Sequence, residues 1–119
     1  MPITHEFDNG VLVIRLNDDL DISNRGAALW ELEALLRGYR PRHLVMAVAA
    51  PLIGPAVLST VLRAERRCQE LGATLSVVAP EREARRLLRS PSRPLVHETV
   101  AEALEAALES EERTDTAAA

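Results

Sequence analysis

The chain has no lysine. All fourteen of its basic residues are arginine, set against eighteen aspartates and glutamates, for a formal net charge of −4. It has one tryptophan, one tyrosine and one phenylalanine. An acidic chain so poor in aromatic rings lacks both the basic stripe and the stacking platform on which nucleic-acid binding depends. The pairs Arg66-Arg67 and Arg85-Arg86 read as solvated helix faces, and nucleic acid is not an expected partner. The single cysteine, Cys68, excludes an internal disulfide and any all-cysteine metal site. Its place in mid-helix makes it a small core residue rather than a reactive thiol. No run of about 18 apolar residues exists to span a membrane. The opening MPITHEF lacks the basic and apolar regions of a secretory signal, which favours the cytoplasm.

Catalytic patterns are missing too. Gly10, Gly26, Gly38, Gly54 and Gly72 are dispersed, so no loop cradles a phosphate. None of the serines stands in a Gly-x-Ser-x-Gly turn. Asp18, Asp19 and Asp21 read as a polar turn with a helix cap, since a calcium loop needs a longer series ending in a bidentate acid. His5, His43 and His97 are scattered and read as surface or edge residues, not as zinc ligands. The expectation is a protein that is not an enzyme and has no cofactor or metal.

What is present suits one α/β domain over residues 1–109, with a disordered tail over 110–119 that has almost nothing to bury. The organising stretch is Leu44 to Gly72. An apolar β-branched run, Leu44 to Val48, leads into the small-residue loop Ala49-Ala50-Pro51-Leu52-Ile53-Gly54. Pro55 opens a helix, as a first-turn residue that needs no N–H partner, and Gly72 stops it. Its spacing turns Val57, Leu58, Val61, Leu62 and Cys68 toward a core and Arg63, Glu65, Arg66 and Glu70 toward water.

On either side the pattern alternates. Ile3 to Asp8 and Val11 to Leu16 flank Asn9-Gly10, the strongest short hairpin signal, and the second run is apolar enough to lie inside a sheet. Asp21 or Ser23 can cap a helix whose stripe is Ala28, Leu29, Leu32, Leu35 and Leu36, ended by Gly38 and Pro41. Trp30 is expected to pack at the edge of that stripe. Thr74 to Val78 read as a strand and Pro80 to Arg89 as a short helix with acids first and arginines later. Leu95 to Glu98 read as an edge strand, and Thr99 with Glu102 as the capping box of a last helix. Strands alternating with helices imply parallel neighbours, with the first hairpin strand antiparallel at one edge.

This layout, above all Leu44–Gly72 followed by Ala73-Thr74-Leu75-Ser76-Val77-Val78-Ala79-Pro80, resembles the STAS domain, the fold of anti-sigma factor antagonists; Leu20-Asp21 resembles the Leu-Asp that ends the matching STAS strand. The resemblance covers about residues 3 to 109. It implies a mixed, mostly parallel sheet with an N-terminal β-hairpin and about four α-helices. In that family the loop after the central strand reads roughly Asp-Ser-Ser/Thr-Gly, and its second hydroxyl residue is phosphorylated by a partner kinase. Here the tetrad falls on Gly54, Pro55, Ala56 and Val57, so the phosphoacceptor position is Ala56. An aspartate usual in the preceding strand is also missing, at about Ala47.

The resemblance implies an anti-sigma factor of the histidine-kinase-like ATPase type as partner, bound without a phosphoserine switch. The binding residues it points to are Asp21, Ser23, Ile53, Gly54, Pro55, Ala56, Val57, Ser59 and Thr60. Ser59 and Thr60 admit two readings: a displaced phosphosite, or helix hydroxyls bonded back to the preceding turn, the second preferred. The alternative function is a degenerate STAS module that acts as a scaffold or a subunit of a multi-protein signalling or transport complex, assembling with other STAS proteins or as a homodimer.

Overall fold

The computed structural model describes residues 2–17, 19–49 and 53–118, with side chains through Glu111. Asp18 and the loop residues Ala50, Pro51 and Leu52 lie outside the described residues. Two antiparallel strands, β1 (Ile3–Asp8) and β2 (Val11–Leu16), open the chain. They are joined by Asn9 and Gly10, both at positive φ (51° and 80°), as a tight right-twisted hairpin requires. Gly10 also receives the backbone N–H groups of Arg42 and His43 on its carbonyl. The positive φ calls for glycine there, while the Arg42 guanidinium, 2.8 Å from where a Cβ would stand, is the flexible end of its side chain.

The chain then alternates: α1 (Arg25–Tyr39), β3 (His43–Val48), α2 (Pro55–Leu71), β4 (Thr74–Val78), α3 (Arg82–Leu88), β5 (Val96–His97) and α4 (Val100–Ala118). The five strands lie in the order β1-β2-β3-β4-β5, and every pairing after the hairpin is parallel. The fold is thus an α/β mixed sheet, mostly parallel, with an N-terminal hairpin and four helices. Parallel strands stepping steadily in one direction, with crossovers of one hand, must place their three connecting helices on the same face. The packing agrees. Leu12, Ile14, Leu16, Leu44, Met46 and Val48 meet α1, α2 and α3 on one face, while Val11, Val13, Val45 and Val78 meet Ala103 and Ala107 of α4 on the other. This two-sided burial explains why β2 and β3 read as nearly continuous apolar runs.

Several side chains differ from their sequence pattern. Leu58 and Leu62 of α2 are exposed instead of buried, because α1 covers only one flank of that helix. Glu65, assigned to water by the same pattern, is buried. Its carboxylate accepts a hydrogen bond from Arg93 Nη1 (2.6 Å) and another from the Ser92 hydroxyl. Arg93 is buried with it and donates through Nε to the Leu88 carbonyl. Helix α1 ends one residue past Gly38, with Arg40 rather than glycine in the left-handed conformation (φ 47°), its N–H bonded to Leu36 O. Trp30 is not packed at the stripe's edge but is 77% exposed. His43 is buried, not a surface histidine, and its Nε2 lies 3.2 Å from Glu111 Oε2. Glu111 also pairs with Arg42 at 2.8 Å. Where a tail was expected from Ser110, helix α4 continues, and Glu111 ties that stretch to the start of β3.

Cys68 is buried against the core, and that burial pushes its thiol up to about 11 from 9.0. The unfolded thiol ionises first, so its neutral form favours the folded state: this contribution is complete below about pH 9 and is lost as the pH rises toward about 11. Denaturant titrations at stepped alkaline pH are expected to show that loss in the native chain and its absence in Cys68→Ala. An equal alkaline slope in both would remove the thiol as its source.

Candidate functional site

The C-terminal ends of parallel strands are where an α/β sheet gathers its loops. Here β2 ends in the turn before α1, β3 in the segment leading to α2, and β4 in Ala79-Pro80. The first two are held side by side, since Ala49 N–H donates to Leu16 O at 3.1 Å. Asp21 and Ser23 therefore share this edge with Ile53, Gly54 and Pro55 through topology.

Asp21 organises its turn without capping the helix. Its Oδ1 accepts hydrogen bonds from the Ser23 hydroxyl (2.5 Å) and from the backbone N–H groups of Ser23 (2.9 Å) and Asn24 (3.2 Å). Asn24 returns the tie, accepting from Asp21 N–H and donating to Asp19 O. The N-cap is Asn24, with no side-chain cap bond, so the expected cap at Asp21 or Ser23 lies three residues or one residue too early. The hydroxyl of Ser23, followed by the Asn24 and Ser23 amides, holds the Asp21 carboxyl below its usual value. Ser23→Ala is expected to raise that pKa toward the ordinary aspartate value, read by NMR titration of the side chain. An unmoved titration would mean that the amides alone set it.

At α2 the geometry sorts the predicted residues into two groups. Gly54 is the N-cap in extended conformation (φ −87°, ψ 173°) and Pro55 occupies the first turn. Ile53 and Gly54 are half-buried, and Pro55 and Leu58 are exposed. Ala56, Val57 and Thr60 belong to the core. The Thr60 hydroxyl is fully buried and donates to Ala56 O at 2.8 Å, and the half-buried Ser59 hydroxyl donates to the same carbonyl at 3.2 Å. Both hydroxyls are thus bonded back to the preceding turn. The outward surface of this site is Ile53, Gly54 and Pro55 continued by Leu58 and Leu62, the two leucines that sequence reasoning had placed inside.

Among the described residues no three histidine, cysteine or acidic side chains are grouped to hold a metal, and no helix is long and apolar enough to cross a membrane. Arg85, predicted as a solvated charge, instead donates to Ala79 O and Pro80 O at 2.8 Å and fixes the end of β4. Arg67 likewise grips Glu33 of α1 with two bonds, at 2.8 and 2.9 Å, joining α1 to α2.

No family model matches the chain, and no curated protein matches it. Solved structures do. The chain is similar to the protein TM1081, known from its NMR structure, with a TM-score of 0.66 and 19% identity over 85% of this chain and 84% of that one. At that identity the likeness is one of fold, and it extends over nearly the whole of both chains.

Proposed function

We propose that the chain is a non-enzymatic regulatory binding protein of the STAS type. On this reading it docks an anti-sigma factor of the histidine-kinase-like ATPase class through the edge formed by Ile53, Gly54, Pro55 and the outer face of α2. The observation that carries the reading is the first turn of α2. The position matching the family's phosphoacceptor holds Ala56, its side chain in the core, while the hydroxyls of Ser59 and Thr60 on the same helix donate to Ala56 O and the Ser23 hydroxyl on the neighbouring turn donates to Asp21. Phosphorylation brings about −1.5 to −2 charges and breaks an apolar docked contact. A surface without an available hydroxyl escapes that release, so the complex persists while ATP is turned over. The exposed pair Leu58 and Leu62 supplies the apolar centre such a contact needs.

The test is affinity capture of the tagged chain from its native lysate, with and without ATP, read by mass spectrometry. The reading expects a kinase-like anti-sigma factor in both samples. Its absence from both would overturn the regulatory role.

A second reading, a module that assembles with its own kind in a signalling or transport complex, is favoured by one separate observation: the exposure of Trp30 on α1.

A further inference from the structure

Ion pairs hold Arg15, Arg37, Arg42, Arg66, Arg67 and Arg93 to carboxylates of this chain. Around α3 the arginines gather without them. Arg82, Arg85, Arg86 and Arg89 recur at i, i+3, i+4 and i+7, the spacing that aligns side chains along one side of a helix. Of the four, Arg86 alone has a carboxylate, Glu83 at 3.5 Å, and both side chains of that pair are nearly four-fifths exposed. Such a pair is screened by water and holds little. Arg82 is exposed and forms no ion pair among the described residues.

Arg85 and Arg89 are anchored, but on neutral oxygens. Arg85 Nη1 donates to Ala79 O and Pro80 O, each at 2.8 Å, and Arg89 Nη2 donates to Val96 O at 3.2 Å. A guanidinium has more N–H donors than these bonds use. Arg85 keeps those on Nε and Nη2, and Arg89 those on Nε and Nη1. Each head is thus fixed to backbone at β4 or β5 with its charge uncompensated. Anchoring of this kind lowers the ordering cost of gathering long side chains around a ligand. The four arginines and Glu83 border an open hollow of about 450 Å³, a volume within the range of small-ligand sites. Four guanidiniums against one carboxylate leave its lining at +3, in a chain whose net charge is −4.

The lining also restricts what can enter. Every side chain in it is charged, so it has neither a ring to stack a base nor an apolar floor for a hydrocarbon. Guanidiniums match carboxylates and phosphates through paired N–H donors. Charge density separates the two. One phosphate brings about −1.5 to −2 charges, so two linked phosphates bring about −3 to −4, enough to meet the lining's +3. An acidic protein segment would have to be ordered on binding, and the hollow offers it no apolar contact in return. We propose that Arg82, Arg85, Arg86 and Arg89 form a binding site for a compact polyanion of the pyrophosphate class, read through its linked phosphates alone. The proposal does not rest on the partner-binding reading, since its test uses the purified chain and an inorganic ligand.

The test is isothermal titration of the full chain with pyrophosphate, inorganic phosphate and sulfate, at about 0.05 M and about 0.15 M salt. The expected result is saturable binding of pyrophosphate, at least about tenfold tighter than of phosphate or sulfate, and retained at the higher salt. Arg82→Gln and Arg86→Gln alter exposed side chains and should leave thermal unfolding unchanged, while each weakens pyrophosphate at least about fivefold. Glu83→Gln removes the one carboxylate of the lining and should tighten binding, a gain that damage to the fold cannot produce. Arg63→Gln, an exposed arginine of α2, should change nothing. Inorganic triphosphate and adenosine triphosphate should bind alike, because the base is not read. Pyrophosphate binding no tighter than sulfate, lost at the higher salt, or unmoved by Arg82→Gln with Arg86→Gln would mark ordinary charged surface and overturn the proposal. A large preference for the nucleotide over inorganic triphosphate would overturn the ligand class, and tighter binding of a glutamate-rich peptide than of pyrophosphate would assign the face to an acidic partner protein instead.

Discussion

Glu65→Ala is expected to cost the fold about 3 to 5 kcal/mol, the loss typical of breaking a buried ion pair by removing one partner. The substitution leaves the Arg93 guanidinium inside the protein with a neutral carbonyl, Leu88 O, as its partner, and leaves the Ser92 hydroxyl with the Ser90 hydroxyl at 3.2 Å in place of a carboxylate. Domains of this size are stable by only about 5 to 15 kcal/mol, so a fifth or more of the total is at stake. The consequence is also local. Arg93 and Ser92 belong to the loop that leads into β5, while Glu65 is in the middle of α2, so the pair fastens the far edge of the sheet to the helix that carries the candidate site. Urea denaturation measures the effect as a lower midpoint with an unchanged slope. Glu65→Gln should lose less, because it keeps the shape and one acceptor. The double change Glu65→Leu with Arg93→Met should recover much of the loss, since no charge is then left buried. A single Glu65→Ala change costing under about 1 kcal/mol would show that the pair is solvated, as an ordinary surface bridge is.

The second large effect falls on binding. Leu58→Glu with Leu62→Glu is expected to weaken partner capture at least about a hundredfold, roughly 3 kcal/mol, while shifting stability by no more than about 0.5 kcal/mol each. Both leucines are partly in water, 36% and 47% exposed, so the folded chain loses less packing than at a core position. The partner would have to bury two new charges one helical turn apart. Isothermal titration against the captured anti-sigma factor separates the two quantities when paired with thermal unfolding. Full affinity in the double variant would move the contact off α2.

The architecture was legible because its signals are local. Asn9-Gly10 between two apolar runs fixes a hairpin, Pro55 and Gly72 bracket a helix, and Thr99 Oγ1 accepts the Glu102 N–H (3.2 Å) as the box predicts. The alternation of strand and helix then leaves few topologies. What was not legible depends on which flank of an amphipathic element has a neighbour. Leu58 and Glu65 share α2, and its periodicity ranks leucine in and glutamate out. The order is reversed because Arg93 arrives from a loop 28 residues later to meet Glu65, while Leu58 stays partly open to solvent. The same limit applies to Trp30, whose exposure follows from where α2 lies rather than from the stripe of α1. Helix α4 outran its apolar pattern because Glu111 found Arg42 and His43, a long-range pairing that no window of local sequence contains. At the site itself, the hydroxyls of Ser59 and Thr60 were placed correctly from their helical position, since bonding back to the preceding turn is a local rule.

The central claim is that this surface binds its partner without a phosphate switch. The most direct measurement is the intact mass of the chain, with the complex followed by size exclusion, after incubation with the captured anti-sigma factor and ATP. The account predicts an unmodified chain that stays in the complex throughout. A phosphate on Ser59 or Thr60, with the chain released from the complex, would contradict it.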